Sequence, residues 1–214
     1  MNNSLRYKAH QLIKDRIISL ELKPGDELRE GNLAKGMGMG RTPVREALLM
    51  LEQEKLVECR ANVGYVVRKL TRKEAEDYYA LREALEEFAA PLIIERITPE
   101  LVKELEKILQ KSEECLKRGD IKGIAANNTE FHSILYKATD SEAFMELILL
   151  VIDKIRWLLA IAVTYQKGPA EALADHRRML RAIQNRSLSE LKKEIRLHLQ
   201  HAREKYFLMS EMLF

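Results

Sequence analysis

The stretch Gly40-Arg41-Thr42-Pro43-Val44-Arg45-Glu46-Ala47-Leu48 decides how the front of this 214-residue chain is read. Thr42 and Pro43 are residue types that open a helix. A threonine oxygen accepts from a free backbone N–H, and proline suits the first helical position. Val44, Ala47, Leu48 and Leu51 then recur at helical spacing and predict a buried stripe, which leaves Arg41 and Arg45 for the other side. Working backwards, Gly36-Met37-Gly38-Met39-Gly40 is a poor helix former and reads as a turn after a short helix over about Glu30–Gly36. A first helix over about Leu5–Leu20 has Ala9, Ile13, Ile17 and Leu20 on one face and stops at Lys23-Pro24-Gly25-Asp26. Working forwards from Leu56, Val57-Glu58-Cys59 and Tyr65-Val66-Val67 flank Arg60 to Gly64 and predict a two-stranded hairpin. Helix, helix, turn, helix, hairpin is the order of a winged helix-turn-helix, with the helix-turn-helix over about residues 30–49.

The N-terminal end of a recognition helix is the part that approaches base edges in the major groove. Arg41 and Arg45 flank that end, and arginine there bonds bidentately to guanine O6 and N7 or pairs with phosphate. The free backbone N–H groups at the helix start also suit a phosphate. Arg60 and Gly64 bring the hairpin, or wing, towards the minor groove or backbone. The alternative for both helix arginines is ordinary solvated surface charge. The charge balance bears on the choice: residues 1–70 hold 13 Lys/Arg against 9 Asp/Glu, whereas residues 71–214 hold 23 against 24. The net +3 thus hides a basic front third, the footprint that nucleic acid requires.

Beyond residue 70 the chain changes character. Six of its nine glycines lie ahead of that boundary, and after it the chain reads as successive helices. Thr71-Arg72-Lys73-Glu74 is a capping box opening a long helix to about Arg96, with Pro91 expected to kink it. Further helices follow from Thr98-Pro99 to Gly119-Asp120, over about Ile121–Ala138, Glu142–Tyr165 and Ala170–Asn185, and from the box Ser187-Leu188-Ser189-Glu190 onward. Six helices at this spacing predict an antiparallel bundle. The fold class is therefore mainly α, a winged domain over 1–70 and an all-helical domain over 71–214. With 32% charged and 6% aromatic residues, the composition argues against sandwiches, barrels and disorder. Two cysteines, Cys59 and Cys115, form no disulfide framework, and no apolar run reaches a membrane span of ~18 residues. With no apolar stretch in the first residues, a cytoplasmic protein is expected.

The helical part carries four of the five histidines: His132, His176, His198 and His201; His10, on the first helix, reads as structural. Asn128 and His132 stand at i and i+4, on one face of one helix. With His176 and His198 they offer three imidazoles and an oxygen, a set that suits Zn, Ni or a similar divalent ion. From spacing alone, single histidines on amphipathic helices are more often hydrogen-bonded core or rim residues. Arg82 and Arg156 are the cationic candidates for a carboxylate effector, and each is equally readable as a salt-bridge partner, of Glu86 and Asp153 respectively. Trp157, Tyr165 and Tyr136 read as core.

Pro24-Gly25-Asp26, Leu33-Ala34, the Arg41-Thr42-Pro43-Val44-Arg45-Glu46-Ala47-Leu48 string, Leu56-Val57 and Gly64 together resemble the DNA-binding domain of the GntR family of bacterial transcription regulators. The resemblance implies that Arg41, Thr42 and Arg45 contact operator DNA and that Gly64 lies at the wing tip. Two positions depart from it. Gly31 stands where many members carry arginine, and Gly40 where many carry serine or threonine; Arg29 is a candidate substitute for the lost arginine. The second part resembles the FadR-type (FCD) effector domain through Leu81-Arg82 with Glu86, Asn128-x-x-x-His132 with Phe131, Asp175-His176-Arg177 and His198-Leu199. That resemblance implies a divalent metal held by Asn128, His132, His176 and His198, with Asn128 replacing the usual aspartate and weakening the site; His201 is a substitute ligand. Helix-turn-helix proteins match two-fold protein symmetry to paired half-sites, so a homodimeric regulator of double-stranded, pseudo-palindromic operator DNA is expected, here as a repressor. A small carboxylate is the expected effector. A metal-dependent bundle enzyme competes, but Glu130 and Asp175 are not singled out as bases and no Glu-x-x-His pair is present. The third alternative is a DNA-binding dimer whose bundle binds no ligand.

Overall fold

The computed structural model describes residues 2–163 and 168–213; Tyr165, read above as core, lies outside them. The chain divides into two compact units, Met1–Thr71 and Arg72–Phe214. The first unit contains α1 (Asn2–Ile18), β1 (Glu27–Leu28), α2 (Glu30–Met37), α3 (Arg41–Gln53), β2 (Val57–Arg60) and β3 (Gly64–Val67). Ala9, Ile13 and Ile17 of α1 and Val44, Ala47, Leu48 and Leu51 of α3 are fully buried, and the two helices pack together. The expected apolar stripes therefore form one small core. Leu20 does not join it. It adopts a left-handed φ of 60°, and this ends α1 at Ile18 by letting the Leu22 N–H reach back to the Arg16 carbonyl at 2.9 Å.

The wing has one strand more than expected, in the antiparallel order β1-β3-β2. Asp26 accepts from the Lys23 N–H at 2.8 Å, and the Gly25 N–H bonds the Val67 carbonyl at 2.8 Å, which delivers Glu27 and Leu28 onto β3 opposite Val66 and Tyr65. A two-residue strand has no periodicity to read. Gly64 is the first residue of β3, paired with Arg60, so the tip itself is Ala61-Asn62-Val63. The turn between α2 and α3 is also shorter than the glycine run suggests. Helix α2 runs on to Met37, and Gly38 closes it with φ 63°, sending its N–H back to Ala34 and Lys35.

The second unit is all-helical: α4 (Arg72–Arg96), α5 (Pro99–Arg118), α6 (Ile121–Lys137), α7 (Glu142–Val163), α8 (Gly168–Gln184) and α9 (Leu188–Leu213). Thr98 caps α5 by accepting from the Leu101 N–H at 3.3 Å, and Asp120 caps α6 through the Gly123 N–H at 2.9 Å. Pro91 lies inside a helix that continues to Arg96. Leu105, Phe131, Phe144, Met179, Leu191 and Ile195 belong to one core shared by α5 to α9, to which α4 adds Ala89, Ala90 and Ile93. Trp157 is buried as core, as expected. Among the described residues no helix is long and apolar enough to cross a membrane.

His10 is structural: its Nε2 stands 2.7 Å from Glu54 at the end of α3, and Lys14 stands 2.8 Å from the other carboxylate oxygen. Burial pushes the Glu54 carboxyl up, but the hydrogen bonds from His10 and Lys14 outweigh it and bring it down to about 2. A depressed carboxyl stabilises the folded state above its unfolded value and stops doing so as pH falls through its folded value. Glu54→Gln should therefore cost the first unit about 1 kcal/mol at pH 7, a roughly fivefold loss of amide-exchange protection in α1 and α3. The difference from wild type should close between pH 4.5 and 2. Mass-spectrometric hydrogen exchange at matched pH measures both.

Candidate functional site

Two sites emerge, one in each unit. In the first, burial of Pro43, Val44, Ala47 and Leu48 turns Arg41, Thr42 and Arg45 outward at the start of α3. The helix begins one residue earlier than Thr42-Pro43 suggests. Gly40 is its extended N-cap and no side chain caps it, so Thr42 is the second helical residue and not the cap. Glycine is tolerated at an N-cap, and this one leaves the first-turn N–H groups without a side-chain acceptor. Beside the helix start runs a groove of about 490 Å³ whose lining includes Arg29, Glu30, Arg45, Leu49, Val63 and Gly64.

Three of the four arginines on this surface are paired with glutamates. Arg29 donates to Glu27 at 2.9 Å, Arg60 contacts Glu58 at 2.6 Å, and Arg45 donates through Nε and Nη2 to the two oxygens of Glu30, both at 2.9 Å. The hydrogen bond from Arg45 holds the Glu30 carboxyl below the usual carboxylate range. Arg41 instead lies over Gly31: a Cβ added there would stand 3.5 Å from Arg41 Nη2. Sequence reasoning misses the Glu30 pairing, because fifteen residues and a turn separate it from Arg45.

In the second unit, α6, α8 and α9 bring His132, His176 and His198 together in the interior. Their ring centroids lie 4.8–5.2 Å apart, and one nitrogen of each falls within 4.8 Å of the others. Phe131 stacks on His176 at 4.2 Å. Burial lowers the pKa of all three imidazoles; the Arg82 charge lowers His132 further, and His198 does the same to His176. They are thus held neutral, the state that ligates a metal.

Arg82 is fully buried on α4 and donates through Nε to Glu86 at 2.7 Å, with Tyr136 donating to the same carboxylate oxygen at 2.8 Å. Burial works against the guanidinium charge, but Glu86 beside it raises its pKa overall. The ion-pair reading of Arg82 is therefore correct, yet the side chain also reaches the histidines, with Nη2 3.1 Å from His132 Nε2. Arg156 sits half-buried on α7, next to Trp157; the side chain of Asp153 is outside what is described. Asn128 is half-buried one turn before His132. Glu130 is exposed.

Asp175 of α8 borders this cluster. Its carboxylate meets His198 Nδ1 at 3.3 Å and His201 Nδ1 at 3.1 Å, and Arg178 pairs with it. Burial pushes Asp175 up, yet the hydrogen bonds from His198 and His201 bring it down to about 2. A carboxylate on His198 Nδ1 fixes the proton there and leaves the Nε2 lone pair for the pocket. His201 thus stands behind Asp175 and outside the imidazole trio. Three buried polar atoms in this cluster have no partner among the described residues: His176 Nε2, His198 Nε2 and Arg82 Nη1. Neutral imidazoles at this spacing fit a divalent ion of the Zn or Ni type.

A winged helix-turn-helix with an exposed arginine-bearing helix start, followed by a helical domain with a buried histidine cluster, defines a DNA-binding regulator. Residues 5–67 match the gntR family of bacterial regulatory proteins and residues 77–201 match the FCD domain. The chain is 28% identical over 190 residues to YdhC, an HTH-type transcriptional regulator of Bacillus subtilis (strain 168), covering 88% of this chain and 85% of that one. It is 30% identical over 145 residues to the HTH-type transcriptional regulator McbR of Escherichia coli (strain K12), covering 68% and 66%. The solved E. coli McbR/YncC structure superposes with a TM-score of 0.79 at 23% identity, over 98% of this chain and 99% of that one. The chain belongs to the GntR family, in its FCD branch, and is a DNA-binding transcription regulator, not an enzyme.

Because Glu86 loses the counter-charge buried beside it when Arg82 is removed, Arg82→Met should destabilise the second unit by about 3–5 kcal/mol. Tyr136→Phe should cost roughly 1.5–3 kcal/mol, one hydrogen bond to a charged group. Urea unfolding followed by Trp157, the one tryptophan of the chain, reads both.

Proposed function

We propose that the protein binds a pseudo-palindromic operator as a homodimer and that a carboxylate effector, together with a divalent metal, binds among His132, His176, His198 and Arg82. The observation that carries the DNA reading is the exposed Arg41-Thr42-Arg45 face at an uncapped helix start, next to a wing bearing Arg60. Base edges meet Arg45 and Arg41; a phosphate meets the first-turn N–H groups, and Arg29 and Arg60 add backbone contacts. Paired half-sites call for two-fold protein symmetry. An apolar surface supports a second copy: Leu81 and Phe88 of α4 and Leu147 of α7 are exposed, with Phe88 stacked on Phe144 beneath.

The observation that carries the sensor reading is the cluster of unpartnered buried atoms. Buried polar groups are rarely left unsatisfied, and each one left so costs free energy. His132, His176 and His198, with the Asn128 carbonyl oxygen, would hold the metal, which supplies a positive charge for an effector carboxylate. Arg82 Nη1 is the donor left to receive that carboxylate. Asn128 gives an oxygen without a negative charge, so affinity for the metal is lower than with aspartate. An effector acts on DNA binding only through different affinities for two arrangements of the protein, and occupancy of this pocket by a ligand linking α4, α6, α8 and α9 provides such a difference.

Arg45→Ala should weaken binding to a duplex enriched by the wild type by about 1–3 kcal/mol in gel shift, with relaxed sequence preference; unchanged affinity would remove Arg45 from the interface. For the metal, wild type incubated with Zn or Ni salts and desalted should retain about one ion per chain by elemental analysis. His176→Ala should retain none, and Asn128→Asp should retain it against higher chelator. No ion on the wild type and none gained by Asn128→Asp would overturn the metal site. Thermal shift with small carboxylates then separates a sensor from a bundle that only dimerises.

A further inference from the structure

The two arginines at the start of α3 are both seated on the first turn of α2. Glu30, the first residue of α2, grips Arg45 through Nε and Nη2, and Gly31 accommodates the Arg41 guanidinium against its α-carbon. The grip on Arg45 has a specific geometry. A guanidinium presents five N–H groups, arranged along two side edges and one end edge. Glu30 occupies the side edge made by Nε and Nη2. The end edge, one N–H each from Nη1 and Nη2, is left over on a side chain that is 65% exposed. Two parallel N–H groups of that kind are what guanine O6 and N7 accept.

We propose that Glu30 is a positioning and specificity-determining residue for operator reading. It orients Arg45 for a guanine and neutralises it towards phosphate. The inference rests on the reading of Arg45 as an operator contact. Two properties suit Glu30 to this role. At 24% exposure it is more enclosed than its partner, and a carboxylate is favoured at the start of a helix. Orientation matters because a free arginine samples many rotamers that must be given up on binding, whereas a held one has given them up already. Neutralisation matters because phosphate attraction is indifferent to sequence. An arginine already paired with a carboxylate gains less from any phosphate it meets, while its end edge still discriminates one base from another. Packing of α2 on α3 does not require the pair, since Leu33 and Ala34 of α2 are already buried.

The test uses the full chain and duplex DNA enriched by the wild type from a randomised pool. Binding is measured by fluorescence anisotropy on that duplex, on its scrambled counterpart, and on copies with 7-deazaguanine in place of each guanine. Glu30→Gln should lose about tenfold of the preference for the enriched duplex, the range of one bidentate base contact. It should lose sensitivity to the same 7-deazaguanine substitution as Arg45→Ala, and bind scrambled DNA at least as well as wild type. Its salt slope should steepen by about one, the signature of an added phosphate contact. Glu30→Asp keeps the charge but not the reach; it should lose preference without gaining affinity for scrambled DNA. Full preference retained by Glu30→Gln, or equal losses on both duplexes, overturns the proposal. Full preference retained by Glu30→Asp reduces Glu30 to a counter-charge and overturns the positioning role. If Arg45→Ala also keeps its preference, the reading of Arg45 falls with it, and a wild type that enriches no duplex overturns the operator reading itself.

Discussion

Taking a guanidinium and a carboxylate out of water costs several kcal/mol each, and α4 buries both Arg82 and Glu86 one turn apart. The pair is tolerable only because each group keeps its partner at 2.7 Å and Tyr136 of α6 donates to the same carboxylate oxygen. That requirement fixes α4 against α6 with a directionality that apolar packing lacks. It also sets the electrostatics of the pocket. Burial keeps the three imidazoles from protonating and the permanent cation beside them adds to the effect, so the histidines stand as neutral donors inside the helical unit.

Asp175 plays the opposite part. It draws the Nδ1 groups of His198 and His201 and the guanidinium of Arg178 to one carboxylate. The cluster is thus polarised, with a cation on α4 beside His132 and an anion on α8 beside His198. In the first unit the electrostatics are arranged differently. Three of the four arginines on the winged surface, Arg29, Arg45 and Arg60, come paired with glutamates where water moderates them. Charge is thus buried in the helical unit and exposed in the winged one.

Much of this is legible in the primary structure. The 3.6-residue stripes of α1 and α3, the Pro-Gly turn, the wing and the six helices of the second unit all lie where apolar spacing and punctuation put them. The differences share one cause. Periodicity extends α1 to Leu20 although the helix ends at Ile18, residue type makes Thr42 a cap where Gly40 provides it, and nothing in the spacing announces β1. Each depends on one or two residues, too few for a periodic signal, and β1 depends also on a hydrogen bond to distant backbone, from Gly25 to Val67. Of the site residues, Arg41, Thr42 and Arg45 fall on one helix end by spacing alone. The three histidines fall on three helices by the same reasoning, but spacing does not show that they meet.

The amino-acid sequence by itself determined the order of the elements, the division near residue 70 and which side of each helix is apolar. Those depend on local periodicity, capping chemistry and composition, all encoded within a few consecutive residues. Only the tertiary structure decided who meets whom: Glu30 with Arg45, Asp175 with His198 and His201, and Arg82 with both Glu86 and His132. Glu86 alone among these partners lies at helical i,i+4 spacing from Arg82, and it alone could be anticipated. The others are joined by how helices pack. That depends on the sum of many weak apolar contacts over the whole core, and no short stretch of sequence carries it.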